Sequence, residues 1–257
     1  MRLSTLGKVG AAIAVVAVLA AVGGVTLIIH GRPQALGLAQ TAPKSPAPSP
    51  SPDDPLALAC RRPAVPGNST PGIDGLWTTQ PGSVVGYRAH EKFAELTSPH
   101  EAVARTERLN GWILVATSGD SVLLLTGCIA VDVRTLHSVD QLPGFDTRDR
   151  DKSASDMLGA PSYPFVIFQP YPASLVLDPR STAVQHARLS GDLRIRDVTK
   201  QSTFSLDVRL KDGQLSAAGD TTVQVGDFAI EVPQAAGGFV SVDPQITLEV
   251  SLVLLKV

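Results

Sequence analysis

Aromatic side chains are scarce in this chain, at 5% of its 257 residues, which argues against a stacking platform for nucleic-acid bases. An excess of either charge is lacking too. Lys and Arg number 22 against 24 Asp and Glu, a net of −2. That balance gives no electrostatic reason to expect nucleic acid or an anionic membrane surface as the main partner. Cysteine is limited to Cys60 and Cys128, too few for a disulfide scaffold and without the spacing of a zinc site. The histidines, His30, His90, His100, His137 and His186, show no H-x-x-x-H or H-E-x-x-H spacing. His90 and Glu91 are neighbours, but neighbours on a strand point to opposite faces. Ser98-Pro99-His100 has no nucleophile-elbow context, and no glycine-rich phosphate loop occurs. A catalytic, metal or cofactor site is therefore not predicted.

What the chain does contain begins with a long uncharged run, Val9 to Ile29. As a helix it would span about 31 Å, the thickness of a bilayer core. Arg2 and Lys8 precede it, which places the N-terminus on the cytoplasmic side and the rest outside. The run reads as an uncleaved signal anchor. A signal peptide cleaved near Gly37 and Ala39 is the alternative, with His30-Gly31-Arg32-Pro33 separating those small residues from the apolar run. Thr41 to Pro55, TAPKSPAPSPSPDDP, is too polar and proline-rich to fold and reads as a semi-stiff spacer. The organisation predicted is 1–32 for the cytoplasmic tip and transmembrane helix, 33–71 for the linker, and 72–257 for a folded domain.

From Gly72 onward the pattern is β with Gly and Pro punctuation. Pro81-Gly82 precedes a strand at Val84, Asn110-Gly111 marks a turn before Trp112 to Thr117, and Ser118-Gly119-Asp120 precedes a long strand, Val122 to Val133. The clearest alternation lies in Leu189 to Leu210. There Leu193 and Ile195 alternate with Arg194 and Arg196, Asp197-Val198-Thr199-Lys200 reads as a polar turn, and Phe204, Leu206, Val208 and Leu210 return on one face. Gln245 to Val257 closes the chain with another alternating stretch. Many short strands and little helical periodicity predict an all-β antiparallel sheet or barrel. Arg150 to Leu158 is expected to form one short helix over an end of it.

Several of these segments carry a resemblance. The G-x-L-x-I-x-x-V-T-K wording of the hairpin, Pro81 to Arg88, Gly111 to Val115, Val131-Asp132-Val133, and Arg150-Asp151 followed by Met157-Leu158 and Tyr163 to Phe168 are similar to the YceI-like family. The late segments Asp227 to Ile230 and Gly237 to Val240 resemble the last hairpin of its membrane-anchored actinobacterial members. The chain departs at Val225-Gly226-Asp227, where many members have an Arg, and at Ser153, where many have a His. The resemblance implies a lipocalin-like barrel of about eight antiparallel strands that holds a polyisoprenoid or other long-chain lipid. A cell-envelope interaction module with a filled barrel is the alternative, and a lipid-modifying enzyme a remoter one.

Within such a barrel, alternation assigns the wall. Cys128, Asp132 and Arg134 share parity and face out, so Ile129, Val131 and Val133 face in. The same reasoning makes Val85, Tyr87, Ile113, Val115, Phe165, Ile167, Leu193, Ile195, Phe204, Leu206, Phe228 and Ile230 inward candidates, as ligand contacts or as plain core. The R-D resemblance adds Arg150, bracing a loop over the cavity mouth, and with it Leu158. The remaining acids and bases between Asp146 and Asp156 are expected to be a solvated loop. With Cys128 outward and Cys60 on the segment entering the domain, a Cys60–Cys128 disulfide is expected in an exported domain, with two unpaired thiols as the alternative.

Overall fold

The computed structural model describes residues 33–39, 51, 53–64, 72–93, 100–141, 146–232 and 240–257. The chain divides into two units, Met1–Gln34 and Ala35–Val257, and the β-structure is the second. Its strands are β1 (Gly75–Thr79), β2 (Val84–Phe93), β3 (His100–Thr106), β4 (Leu109–Ser118), β5 (Ser121–Asp132), β6 (His137–Ser138), β7 (Phe165–Pro170), β8 (Ala173–Leu175), β9 (Gln185–Ile195), β10 (Val198–Lys211), β11 (Gln214–Gln224) and β12 (Val240–Lys256). Among the described residues two α-helices accompany them, α1 (Pro55–Ala59) and α2 (Thr147–Leu158).

Register reduces these pieces to a simple figure. The pairing of β1 with β4 (Gly75↔Val115) runs on into that of β2 with β3 (Glu91↔His100), so β1β2 and β3β4 are two long bent strands of one hairpin. By the same criterion β6 extends β5 along β3β4, and β8 extends β7 along β5. The last strand, β12, pairs with β11 on one edge and with both β1 and β2 on the other. The result is an all-β, closed antiparallel barrel of 8 strands, a closure that leaves no open sheet edge. The segment Val9 to Ile29, expected as an anchor, lies outside the described residues, among which no helix is long and apolar enough to cross a membrane.

The hairpin that alternates most clearly in sequence forms one of the two longest pairings of the wall, with Phe204 opposite Leu189 and Val198 opposite Ile195. Its turn is tighter than the sequence suggests. Arg196 and Asp197 alone connect the strands, with Arg196 at φ 58°, and Val198, Thr199 and Lys200 already belong to β10. Asn110-Gly111 is likewise no turn but part of β4. A Cβ at Gly111 would come within 2.9 Å of the Ile129 side chain on the neighbouring strand, so this glycine answers to close packing.

One end of the barrel is solid. Trp77, Val115, Val122, Leu124, Leu215, Leu252 and Leu254 pack there with Ile73 and Leu177, and the Trp77 indole N–H donates to the Ile73 carbonyl at 2.7 Å. The other end carries α2. Asp146 caps its first turn by accepting from the Arg148 N–H at 3.0 Å. Gly159 ends it at φ 58°, with the Gly159 and Ala160 N–H groups returning to the Asp156 and Ser155 carbonyls.

Two stretches of the 33–71 range, one before and one after the Pro/Ser tract, lie on the barrel wall. Residues 35–39 cross its outer face, where the Ser251 hydroxyl donates to the Gly37 carbonyl at 2.7 Å and Arg209 donates to Ala39 at 3.1 Å. Farther on, α1 starts at Asp54, whose carboxylate accepts from the Leu56 N–H, and buries Leu56 and Cys60 against Leu76, Trp112, Cys128, Ala130 and Ile167. A disulfide joins Cys60 to Cys128 with Cα atoms 5.5 Å apart. Cys128 does face away from the barrel axis, but onto α1 rather than into solvent. Asp132, placed on the solvent side by parity, is buried as well, held by Arg134 at 2.7 Å.

Candidate functional site

Between the solid end and α2 the barrel encloses a cavity of about 400 Å³. Its wall is built by period-two alternation on several strands. Val85, Tyr87, Ala89 and Glu91 line it from β2, Ile129 and Val131 from β5, Leu189 and Leu193 from β9, Phe204 and Leu206 from β10, and Ile246, Leu248 and Val250 from β12. Phe168 from β7 meets Phe204 edge to face, ring centroids 5.0 Å apart. The short 3₁₀ turn Val225–Phe228 contributes both its terminal side chains. From above, α2 lowers Ala154, Met157 and Leu158 onto the cavity, which opens beside the exposed Asp146 and Asp149.

Thirteen of the sequence-predicted side chains line this cavity: Val85, Tyr87, Ile129, Val131, Val133, Arg150, Leu158, Leu193, Ile195, Phe204, Leu206, Phe228 and Ile230. Four do not. Ile113 and Val115 point inward but belong to the packed end, below the cavity floor. Phe165 and Ile167 point the other way, into the cluster beneath α1. Register supplies the reason: Ile129 pairs with Phe168 and Val131 with Val166, and directly paired residues share a face. Val166 and Phe168 therefore hold the inward places. The run Phe165-Val166-Ile167-Phe168 is apolar on both faces because α1 covers the outer one, so no alternation marked the parity.

A polar cluster interrupts the apolar wall where α2 crosses the rim. The Arg150 guanidinium donates to Asp140 at 2.6 Å, to Glu91 at 3.3 Å and to the Ser138 hydroxyl at 3.2 Å. Asp140 also accepts from the Val103 N–H at 2.9 Å and lies 2.7 Å from the His100 ring. Next to Arg150, Asp151 accepts from both the N–H and the hydroxyl of Ser138. Arg150 and Asp151 thus bind α2 to Ser138 of β6, to Asp140 just beyond it and to Glu91 of β2, whereas Arg148–Asp146 and Lys152–Asp156 are exposed pairs.

Burial sets the electrostatics of the cluster. It pushes the Glu91 carboxyl above its usual range, although the charge and hydrogen bond of Arg150 oppose the shift. It also pushes the Tyr87 phenol up to about 12, against the nearby Arg150 charge. At Asp140 burial acts upward too, but hydrogen bonds from Arg150, Val103 and His100 outweigh it and hold the carboxyl low. From sequence, Glu91 and His100 are weighed only as catalytic candidates and set aside, and Asp140 is not singled out. Glu91 had a usable signal, since it continues the parity of Val85, Tyr87 and Ala89; Asp140 and His100 meet Arg150 only through folding. Among the described residues no group of three or more His, Cys, Asp or Glu side chains is placed to hold a metal ion.

The model of the YceI-like domain matches residues 98–254, more than half of the chain. The chain belongs to the YceI-like family. Among solved structures, this YceI-like barrel is similar to BcnA of Burkholderia cenocepacia, at 12% identity and a TM-score of 0.47 over 67% of this chain and 96% of that one. It is also similar to a YceI protein of Campylobacter jejuni, at 13% identity and a TM-score of 0.39 over 62% and 88%. No curated protein matches it.

Proposed function

We propose that this YceI-like barrel is a non-catalytic carrier that holds the chain of a polyisoprenoid or similar long apolar lipid in its cavity. One observation carries the reading: an enclosed volume of about 400 Å³, within the range of small-molecule sites, is walled by Leu, Ile, Val and Phe side chains and has its polar groups gathered at one rim. Binding there needs no bond to be made or broken. Each methylene that leaves water gains roughly 0.8 kcal/mol, and the rim orients the head.

The proposal extends to location. Val9 to Ile29 tethers the domain to a membrane as a single-pass anchor, with the barrel on the extracytoplasmic side. The charge-free run behind Arg2 and Lys8 supports this, as does the disulfide, a bond that persists in oxidising compartments. A tether keeps the cavity at high local concentration near the bilayer that supplies its ligand.

The test is extraction of the full chain, purified in detergent micelles, followed by mass spectrometry against empty micelles. A long-chain apolar lipid retained near one per chain, and lost from a Val131→Trp variant that fills the cavity, is the expected result. Equal lipid in the variant and the wild type, or none in either, would sink the carrier reading and favour a filled interaction module.

A further inference from the structure

The cavity is poor in positive charge. Arg150 is the one cationic side chain among the described residues that line it, whereas Glu91, Asp146, Asp149 and Asp243 line it as acids. Nor is Arg150 available to an anion. Its guanidinium is already bonded to Asp140, Glu91 and Ser138, and it is well buried, with 16% of its side chain exposed. One guanidinium between two carboxylates leaves the cluster negative with Glu91 ionised and balanced with Glu91 protonated. Two cations near the rim have partners of their own. Arg148 is paired with Asp146, while Arg196 donates through Nη1 to the Ala229 carbonyl and lies over the Tyr163 ring, its buried Nε lacking a partner among the described residues. The sequence segments 94–99, 142–145 and 233–239 contain no Lys or Arg at all.

We infer that the cavity selects a lipid whose head is uncharged and hydrogen-bonding, an alcohol or a quinol for example, and rejects the corresponding phosphate ester. This rests on the carrier reading and adds the ligand's head to it. A phosphate reaching the polar rim would leave water to meet carboxylates, and Arg150, the one guanidinium among the described lining residues, is not free to form the bidentate bonds that phosphate recognition uses. A hydroxyl pays no such penalty. It donates to the Glu91 carboxylate, and it accepts a hydrogen bond from the same group when Glu91 is protonated. Because the rim is bound to a largely apolar cavity, the repulsion is only weakly screened by salt.

The discriminating experiment loads the full chain, in detergent micelles at pH 8, with an equimolar mixture of farnesol and farnesyl phosphate. After gel filtration the retained ligands are quantified by mass spectrometry above empty micelles. The alcohol is expected in at least roughly tenfold excess over the phosphate, a preference of about 1.4 kcal/mol. Glu91→Gln and, separately, Asp140→Asn each return part of Arg150 to solvent and ligand, and at least one should shift the ratio severalfold toward the phosphate while the thermal unfolding profile stays cooperative. Equal retention of the two ligands, a phosphate preference, or ratios unmoved in both variants would overturn the inference. Retention of neither ligand would overturn the carrier reading itself, which separates the two failures.

Discussion

Glu91 is an acid held in the cavity wall at a cost to the fold. Its carboxylate faces an apolar cavity, and burial raises its pKa above the usual value of 4.5 even beside Arg150. An acid whose folded pKa is raised binds its proton more tightly in the folded state. The stability it contributes is therefore full below the unfolded pKa and falls as the pH rises through the folded one. Asp140 has the opposite sign: its carboxyl is held low, and its contribution is lost as the pH falls through that low value. Glu91→Gln keeps a polar group opposite Arg150 and removes the titration. Comparing wild type and variant cancels Asp140, so the variant should gain in relative stability as the pH climbs from about 4.5. Urea midpoints measured between pH 4 and pH 8 check this; a difference constant across that range would contradict it.

At the scale of the element, α1 and its disulfide are an outer brace on a barrel that closes without them. The bond joins residues 68 apart in sequence, and a loop of that length corresponds to about 4 kcal/mol in the chain-entropy model. Replacing both Cys60 and Cys128 with Ala should lower the unfolding free energy by about 2–4 kcal/mol. The fluorescence of Trp112, whose indole N–H donates to the Cys60 carbonyl at 3.2 Å, reports the loss during urea unfolding. Lipid retention should survive, because the bond lies on the far side of β5 from Ile129 and Val131. Unchanged midpoints, or lost retention in a folded protein, would contradict the separation of brace from cavity.

The β9–β10 hairpin shows where the sequence was readable. Leu193, Ile195, Phe204 and Leu206 stand out because the residues between them are polar, so a period of two is visible and the wall could be assigned. Phe165 to Phe168 carries no such contrast, since α1 dries its outer face, and the parity came out reversed. The Arg196-Asp197 turn was hidden for a different reason. A non-glycine at positive φ gives no signature, and Val198 to Lys200 looked like a loop while lying in a ladder. Pairings such as Arg150 with Asp140, and α1 with Trp112, depend on closure and have no local pattern to reveal them.

At the scale of the whole barrel, a packed end is set against a hollow one. Bulky side chains such as Trp77, Leu252 and Leu254 fill the first. In the second, Phe168, Leu193, Phe204 and Phe228 surround a space they do not fill, beneath a helix fixed by Arg150. Family membership accounts for the closure, whereas the charge pattern at the rim belongs to this chain's own residues. The most direct test of the central claim maps where a lipid sits. The full chain in micelles is irradiated with a diazirine-bearing isoprenoid alcohol and its adducts are located by mass spectrometry. The account predicts adducts on inward residues such as Val131, Leu193 and Phe204, suppressed by excess unlabelled alcohol. Adducts confined to the outer wall or to the segment Val9 to Ile29 would contradict it.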